Sequence, residues 1–342
     1  MIPLCLFFLL SVEPVHGAWV AKGYPGDWEE TAQALQDAGV DHVLPCFLYG
    51  ITPAYTSDIV PDSPGFPADP EWVQDILTEC GTRGIEVHAW VVLWKSSNAD
   101  GALLDSLAVA GRLQVNLGGD TIPWLCPTDP ENLELETELI LEMLDRLPLD
   151  GVQFDYVRFP NDGSCYCEGC RERFSEQTGL FVGSWPDDVA PAGTLRSRYS
   201  AWRAERITHS LDVLSSLVRA RGLQVSVAVF PDYQDALGYG QDWVDWSRQG
   251  VVDRIYLMNY FSSASEVEEA LSGQIQLLPE GFFTVCGLGS GIGSLGISSM
   301  EAASQVGAAL RWGARGVCHF HLNESLLRTL QIIRNTGDGR ER

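Results

Sequence analysis

The sequence predicts a single (β/α)8 barrel on three observations. Eight short runs rich in Val, Ile, Phe, Trp and Tyr recur along the 342 residues, with segments of helical apolar spacing between them. No linker or shift of composition divides that alternation into two domains. No phosphate-binding glycine loop follows the first run, which favours the barrel over a doubly wound sheet.

The predicted strands are residues 19–22, 42–48, 85–94, 151–159, 223–230, 251–260, 282–287 and 316–321. Helix starts are marked between them. Asp27 stands three residues before Glu30 and Ser298 three before Glu301, and both pairs read as capping boxes. Asp69-Pro70 and Asp129-Pro130 each place an N-cap before proline at the first helical position. Trp202, Ile207, Leu211, Leu214 and Val218 follow helical spacing, and Gly39, Gly84, Gly222, Gly250 and Gly313 mark helix ends. Long loops follow strands two (51–68), three (95–128) and four, at the C-terminal face where such barrels keep their active sites.

The termini read as separate pieces. Residues 2–12 are an apolar run too short to span a bilayer, and Val15-His16-Gly17 supplies small residues for leader cleavage. The expected division is a signal peptide at 1–17, a barrel at 18–330 and a polar tail at 331–342, with export of the mature chain and no membrane span in it. A net charge of −24 argues against a nucleic-acid partner, which needs a basic patch. No cofactor is implied.

Eight cysteines remain beyond the leader, an even number that permits disulfides in an exported chain. Cys46, Cys286 and Cys318 lie in apolar strand-like runs and read as small core residues. Cys165, Cys167 and Cys170 fall within six residues. A disulfide, a zinc or iron–sulfur site and free thiols all stay open for them, since no fourth ligand stands nearby.

Period-2 alternation sorts the strand residues by face. Glu86, His88, Trp90 and Trp94 oppose an apolar face of Val87, Ala89, Val91 and Leu93. Gln153, Asp155 and Val157 oppose Val152, Phe154 and Tyr156, while His319 and His321 share a face in strand eight. If the polar faces point inward, His88, Trp90, Asp155, Asp232, Asn259, Tyr260 and His321 line one pocket. Ordinary alternatives stand beside this reading: a salt bridge of Asp155 with Arg158, a simple turn at Pro231-Asp232-Tyr233, interior histidines and core tryptophans.

Two carboxylates beside aromatic walls suit glycosidic cleavage, in which one acid protonates the leaving oxygen and the other attacks or activates water. Trp and Tyr present flat faces to sugar C–H surfaces. The chain lacks His-Glu-x-x-His and Gly-x-Ser-x-Gly. Gly291-Ile292-Gly293-Ser294-Leu295-Gly296 fits a dinucleotide pattern but comes too late and lacks its acidic partner, so it reads as a loop.

Residues 149–160, Leu-Asp-Gly-Val-Gln-Phe-Asp-Tyr-Val-Arg-Phe-Pro, resemble the fourth-strand signature of the glycosyl-hydrolase-like 10 family, which are exported bacterial TIM barrels. Glu86–Trp90, Leu125-Cys126-Pro127, the cysteine cluster with Arg173-Phe174, Asp242-Trp243, Met258-Asn259-Tyr260 and Gly287-Leu288-Gly289 agree in order, so the resemblance spans about 18–330. It implies hydrolysis of a bacterial polysaccharide, such as peptidoglycan glycan strands or a related amino-sugar polymer, with Asp155 as the acidic residue at strand four. His319-Phe320-His321 departs from the family's more apolar eighth strand.

The resulting expectation is a glycoside hydrolase with Asp155 as principal carboxylate and Asp232, or else Glu324, as its partner. His88, Trp90, Trp94, Tyr156, Asn259, Tyr260 and His321 line the sugar site, and Arg158 tunes Asp155 or holds a polar substituent. The competing readings are a carbohydrate-binding barrel without catalysis and a metal-dependent enzyme built on Cys165, Cys167 and Cys170.

Overall fold

The first strand of the chain pairs on one side with the second and on the other with the last, and that pairing closes a barrel. The computed structural model describes residues 14–24, 26–161 and 163–337. In chain order the strands are β1 (Val15–Val20), β2 (His42–Tyr49), β3 (Thr52–Pro53), β4 (Glu86–Val92), β5 (Leu113–Val115), β6 (Thr121–Leu125), β7 (Gly151–Asp155), β8 (Gln224–Val229), β9 (Arg254–Asn259), β10 (Phe283–Leu288) and β11 (Gly316–His319). Eight run parallel in the order β1-β11-β10-β9-β8-β7-β4-β2, with β2 returning to β1. All eight predicted strands are present. β3 hangs antiparallel from β2, and β5 and β6 form a separate hairpin.

The helices are α1 (Trp28–Asp37), α2 (Pro70–Thr82), α3 (Gly101–Val109), α4 (Pro130–Arg146), α5 (Glu168–Thr178), α6 (Arg196–Arg219), α7 (Tyr233–Gly238), α8 (Trp243–Gln249), α9 (Ala264–Leu277), α10 (Ser299–Arg311) and α11 (Glu324–Gly337). The predicted N-caps form: Asp27, Asp69, Asp129 and Ser298 each accept a hydrogen bond from a backbone N–H of the first turn. The reciprocal bonds of the two expected capping boxes do not form, and Glu301 accepts from Ala264 N instead. Each cap stabilises its helix by about 1 kcal/mol.

Two apolar layers follow from the strand alternation. Trp19, Leu44, Cys46, Trp90, Val92, Tyr256, Val285 and Cys318 fill the barrel axis. Residues of opposite parity, such as Val43, Phe47, Val91, Phe154, Val227 and Leu257, are buried between sheet and helices. Among the described residues no helix is long and apolar enough to cross a membrane.

Two boundaries and two further features differ from expectation. β1 starts at Val15, and Gly17 pairs with His42, so a leader boundary after Gly17 falls inside a barrel strand. Residues 1–13 lie outside the described residues. The terminal helix continues to Gly337, through part of the segment expected to be a tail. The insertion after the third barrel strand contains α3 and the β5–β6 hairpin, so it is not an irregular loop. No disulfide forms: all eight cysteines of the described residues are free and buried.

Candidate active site

Asp155 is the last residue of β7, at the C-terminal mouth of the barrel. The strand stops there because Tyr156 takes a left-handed backbone (φ 56°), which no strand can carry forward. The turn brings the Tyr156 N–H to Asp155 Oδ1 at 2.6 Å, while Trp90 Nε1 donates to Oδ2 at 3.0 Å. Both oxygens are therefore bonded, and the side chain is only 6% exposed. Burial pushes its pKa up, opposed by the Tyr156 N–H, the Arg158 charge, the Trp90 hydrogen bond and the Lys95 charge.

The salt bridge between Asp155 and Arg158 does not form. Arg158 Nη1 donates to the carbonyls of Phe159 (3.1 Å) and Pro160 (3.4 Å), and the guanidinium carbon lies 4.4 Å from the ring centroids of both Tyr156 and Phe230. Arg158 acts on Asp155 through its field alone.

Around this carboxyl the structure gathers Trp90, Tyr156 and Tyr260. Tyr260 stacks on Phe320 (5.1 Å, 28°), and Phe320 lies edge-on to Trp90 at 6.0 Å. Trp124, from β6, tilts against Tyr156 at 5.4 Å. His321 follows β11 at the same end, half-buried and edge-on to Phe320 at 5.3 Å.

Four predicted site residues go elsewhere. His88 sits near the start of β4, paired in register with Gly151, where it contacts Glu86 (3.1 Å) and lies 5.6 Å from the His42 ring. That is the lower layer of the axis, four register steps below Asp155. Trp94 has φ 64°, which breaks the alternation; its ring is fully buried in the outer core and its backbone N–H donates to Glu136 Oε1 at 2.8 Å. Asn259 faces outward like Ile255 and Leu257, and exchanges two hydrogen bonds with Gln274 of α9 (3.0 and 2.8 Å). Asp232 is exposed and caps α7, accepting from Asp235 N at 2.8 Å, as the turn reading holds.

Other site residues escaped sequence reasoning. A cleft of about 310 Å³ opens beside Trp90, lined by Lys22, Cys46, Tyr49 and Phe66. Phe66 stacks on Tyr49 (5.5 Å, 18°), Lys22 Nζ lies 5.0 Å from the Phe66 centroid, and Lys95 donates to the Tyr49 hydroxyl. Lys95 is placed by a close approach: a Cβ at Gly50 (φ 61°) would meet the Lys95 carbonyl at 1.5 Å. One signal was available for these cations, because Lys22 and Lys95 are the only two lysines in the chain. A larger hollow of about 660 Å³ between α6 and α8 lies outside the barrel; it gathers Glu205, His209, Asp212, Asp242 and Asp245 but no Trp, Tyr or Phe wall.

A family model described as glycosyl hydrolase-like 10 matches residues 47–278. The chain belongs to that family. The glycosyl hydrolase DigH of Escherichia coli is 24% identical in a match covering 72% of this chain and 65% of the relative, so the chain spans less than two thirds of that protein. The barrel is similar to the PgaB (BpsB) glycoside hydrolase domain from Bordetella bronchiseptica, with TM-score 0.74, 13% identity, and 94% and 98% of the two chains covered. It is also similar to a cold-adapted β-galactosidase from Rahnella sp. R3, with TM-score 0.70, 13% identity, 96% of this chain and 56% of that one. At such identities the likeness shows the TIM-barrel fold of glycoside hydrolases and nothing finer.

Proposed function

We propose that the protein is an exported glycosidase that cleaves an acidic amino-sugar polymer, such as a peptidoglycan glycan strand, with Asp155 as the proton donor. The observation that carries the reading is the placement of Asp155: a buried carboxyl with a raised pKa, at a barrel mouth walled by Trp90, Tyr156, Tyr260 and Phe320. Such an acid keeps its proton to higher pH and gives it to the glycosidic oxygen as the bond to C1 breaks. The aromatic faces suit sugar rings. Lys22, Lys95 and Arg158 make the mouth locally cationic in a chain of net charge −24, which favours a polymer bearing carboxylates. Membership of the family supports the reaction class, and the apolar N-terminal run supports export.

The second catalytic group follows from what faces Asp155. The charged groups that act on it are the cations Arg158 and Lys95, and Asp232 is engaged as a helix cap. An amino-sugar substrate supplies its own nucleophile. Its 2-acetamido oxygen attacks C1 as Asp155 protonates the leaving oxygen, and water then opens the resulting ring. Reducing-end release from N-acetylated and chemically N-deacetylated forms of one glycan tests this. Cleavage of the acetylated form alone is expected, and loss of it in Asp155→Asn. Equal cleavage of both forms points back to a protein carboxylate, and full activity in Asp155→Asn removes Asp155 from the mechanism.

A further inference from the structure

The cysteines left aside by this chemistry meet in one place. Cys126 follows β6, Cys165 and Cys167 lie in the segment before α5, and Cys170 is in the first turn of α5. All four are buried, the most exposed at 5%, and their sulfurs lie within 4.8 Å of one another. Cys126 Sγ is 3.4 Å from Cys170 Sγ and 3.8 Å from Cys167 Sγ. The fourth member was invisible to spacing rules because it stands 39 residues upstream of the other three, on a different element.

We propose that Cys126, Cys165, Cys167 and Cys170 bind one zinc ion as a closed, structural tetrathiolate site. The separations decide the coordination. A tetrahedron with metal–sulfur bonds of about 2.3 Å has sulfur–sulfur edges of about 3.8 Å; Cys126 stands 3.4 and 3.8 Å from Cys170 and Cys167, and no pair of the four is more than 4.8 Å apart. A disulfide requires about 2.05 Å. An iron–sulfur cluster places its own iron and sulfide atoms between the cysteine sulfurs and holds them further apart. By contrast Cys46, Cys80, Cys286 and Cys318 are buried outside this cluster, as core thiols ordinarily are.

The surroundings suit thiolate. The backbone N–H groups of Val115 and Cys170 point at the sulfurs of Cys165 and Cys167, each at 3.4 Å. Thr128 Oγ1 lies 3.2 Å from Cys126 Sγ and 3.3 Å from Cys170 Sγ. Arg173 Nη2 approaches Cys126 Sγ at 3.9 Å, a cation beside a site whose four thiolates outnumber the charge of a divalent ion. On binding, each thiol releases its proton to solvent and no electron moves.

Four protein ligands leave no position for substrate, so the ion's task is mechanical. It ties the β5–β6 hairpin to α5. Trp124, two residues before Cys126, forms the wall against Tyr156, so the metal fixes one side of the mouth. The site stands independently of the glycosidase reading.

The test is elemental analysis of the full chain purified without chelator, together with cobalt exchange. One zinc per chain is expected, released in step with modification of four thiols, and the cobalt-loaded protein should show sulfur-to-cobalt charge transfer with tetrahedral d–d bands. Cys126→Ser should lose the stoichiometric metal, while Cys80→Ser should keep it. If Cys126→Ser does not fold, the cobalt spectrum of the unaltered chain still decides. Metal-free folded protein, stoichiometric iron, or disulfides mapped among these four cysteines under non-reducing conditions would each overturn the proposal.

Discussion

Trp90 Nε1 donates a hydrogen bond of 3.0 Å to Asp155 Oδ2 across the β4–β7 pair, from two residues lower on its strand than the register partner of Asp155. The bond stabilises the ionised carboxylate and opposes the effect of burial. A hydrogen bond to a charged group contributes about 1.5–3 kcal/mol. Trp90→Phe keeps an aromatic wall but removes the donor. Its kcat/KM profile should extend to higher pH, because the proton donor stays protonated longer. An unshifted basic limb would show that Asp155 is not the group that limits activity at high pH.

Asp155→Asn should separate catalysis from stability. Loss of a general acid lowers the rate by about 10²–10⁴-fold. The same change relieves a buried carboxylate. Its folded pKa lies above the unfolded value, so the native state binds the extra proton and stability falls as pH climbs from the unfolded pKa through the folded one. Asn keeps one acceptor oxygen but turns an amide NH2 towards the Tyr156 N–H or the Trp90 Nε1–H. The test is therefore the trend: the melting temperature of Asp155→Asn relative to the parent should rise between pH 4 and pH 7. The same difference in melting temperature at both values would mean that the folded pKa of Asp155 is not raised.

The sequence and the structure agree on the elements themselves. Eight strands, the marked helix caps and the position of Asp155 follow from apolar periodicity and capping chemistry, which are local properties. Facing assignments fail where the alternation is broken, as at Trp94, and where neighbours of opposite parity are assigned to one pocket, as with Asn259 and Tyr260. Trp94 turns outward at a left-handed residue that no propensity signals, and Asn259 takes the outward parity of Ile255 and Leu257. In β11 the axis-facing parity of Cys318 continues to Phe320, which joins the aromatic wall of the mouth although the histidines beside it drew the eye. Lys22, Lys95 and Cys126 reach their clusters through tertiary contacts, which a linear spacing does not record.

The two lysines should govern affinity more than turnover. Lys22 lines the cleft beside Trp90 and lies over Phe66, and Lys95 lies over Tyr49, which lines the same cleft. With an acidic glycan, Lys22→Gln and Lys95→Gln should each raise KM several-fold with a smaller change in kcat, and added salt should have the same effect on the parent enzyme. With a neutral glycan of equal length the substitutions should have little effect. Equal losses on both substrates would assign the lysines to aromatic packing.

Glu136 of α4 is fully buried, and its carboxyl accepts the Trp94 N–H at 2.8 Å. Burial raises its pKa from 4.5 to about 8, with that hydrogen bond in opposition. The raised value means that the native state holds a proton which the unfolded chain gives up above about pH 4.5. Stability contributed by that proton is fully present below pH 4.5 and lost as pH rises towards 8. Glu136→Gln keeps the acceptor oxygen and cannot titrate. Urea unfolding of the variant should be flatter with pH between 5 and 8 than that of the parent, and relatively more stable at pH 8. Parallel curves for the two proteins would show that Glu136 titrates normally.

At the seam where β1 meets β11, His16 Nε2 and His319 Nε2 lie 2.9 Å apart, and His319 Nδ1 bonds the Ser290 hydroxyl at 3.0 Å. Burial lowers both pKa values. His16 falls from 6.5 to about 4, with Asp41 opposing and His42 and Arg334 adding to the effect, and His319 falls well below 6.5 with His16 adding to the effect. Here the sign reverses relative to Glu136. Below pH 6.5 the unfolded chain takes up protons that the folded chain refuses, so stability drops as pH falls from about 6.5 towards 4. Glu136 and Asp155 work in the opposite direction over part of that range, so the parent curve alone mixes the contributions. The double variant His16→Gln/His319→Gln isolates the pair: its loss of stability between pH 6.5 and 4.5 should be smaller than the parent's, corresponding to up to two fewer protons taken up on unfolding. The same acid sensitivity in both proteins would place the titration elsewhere than the seam.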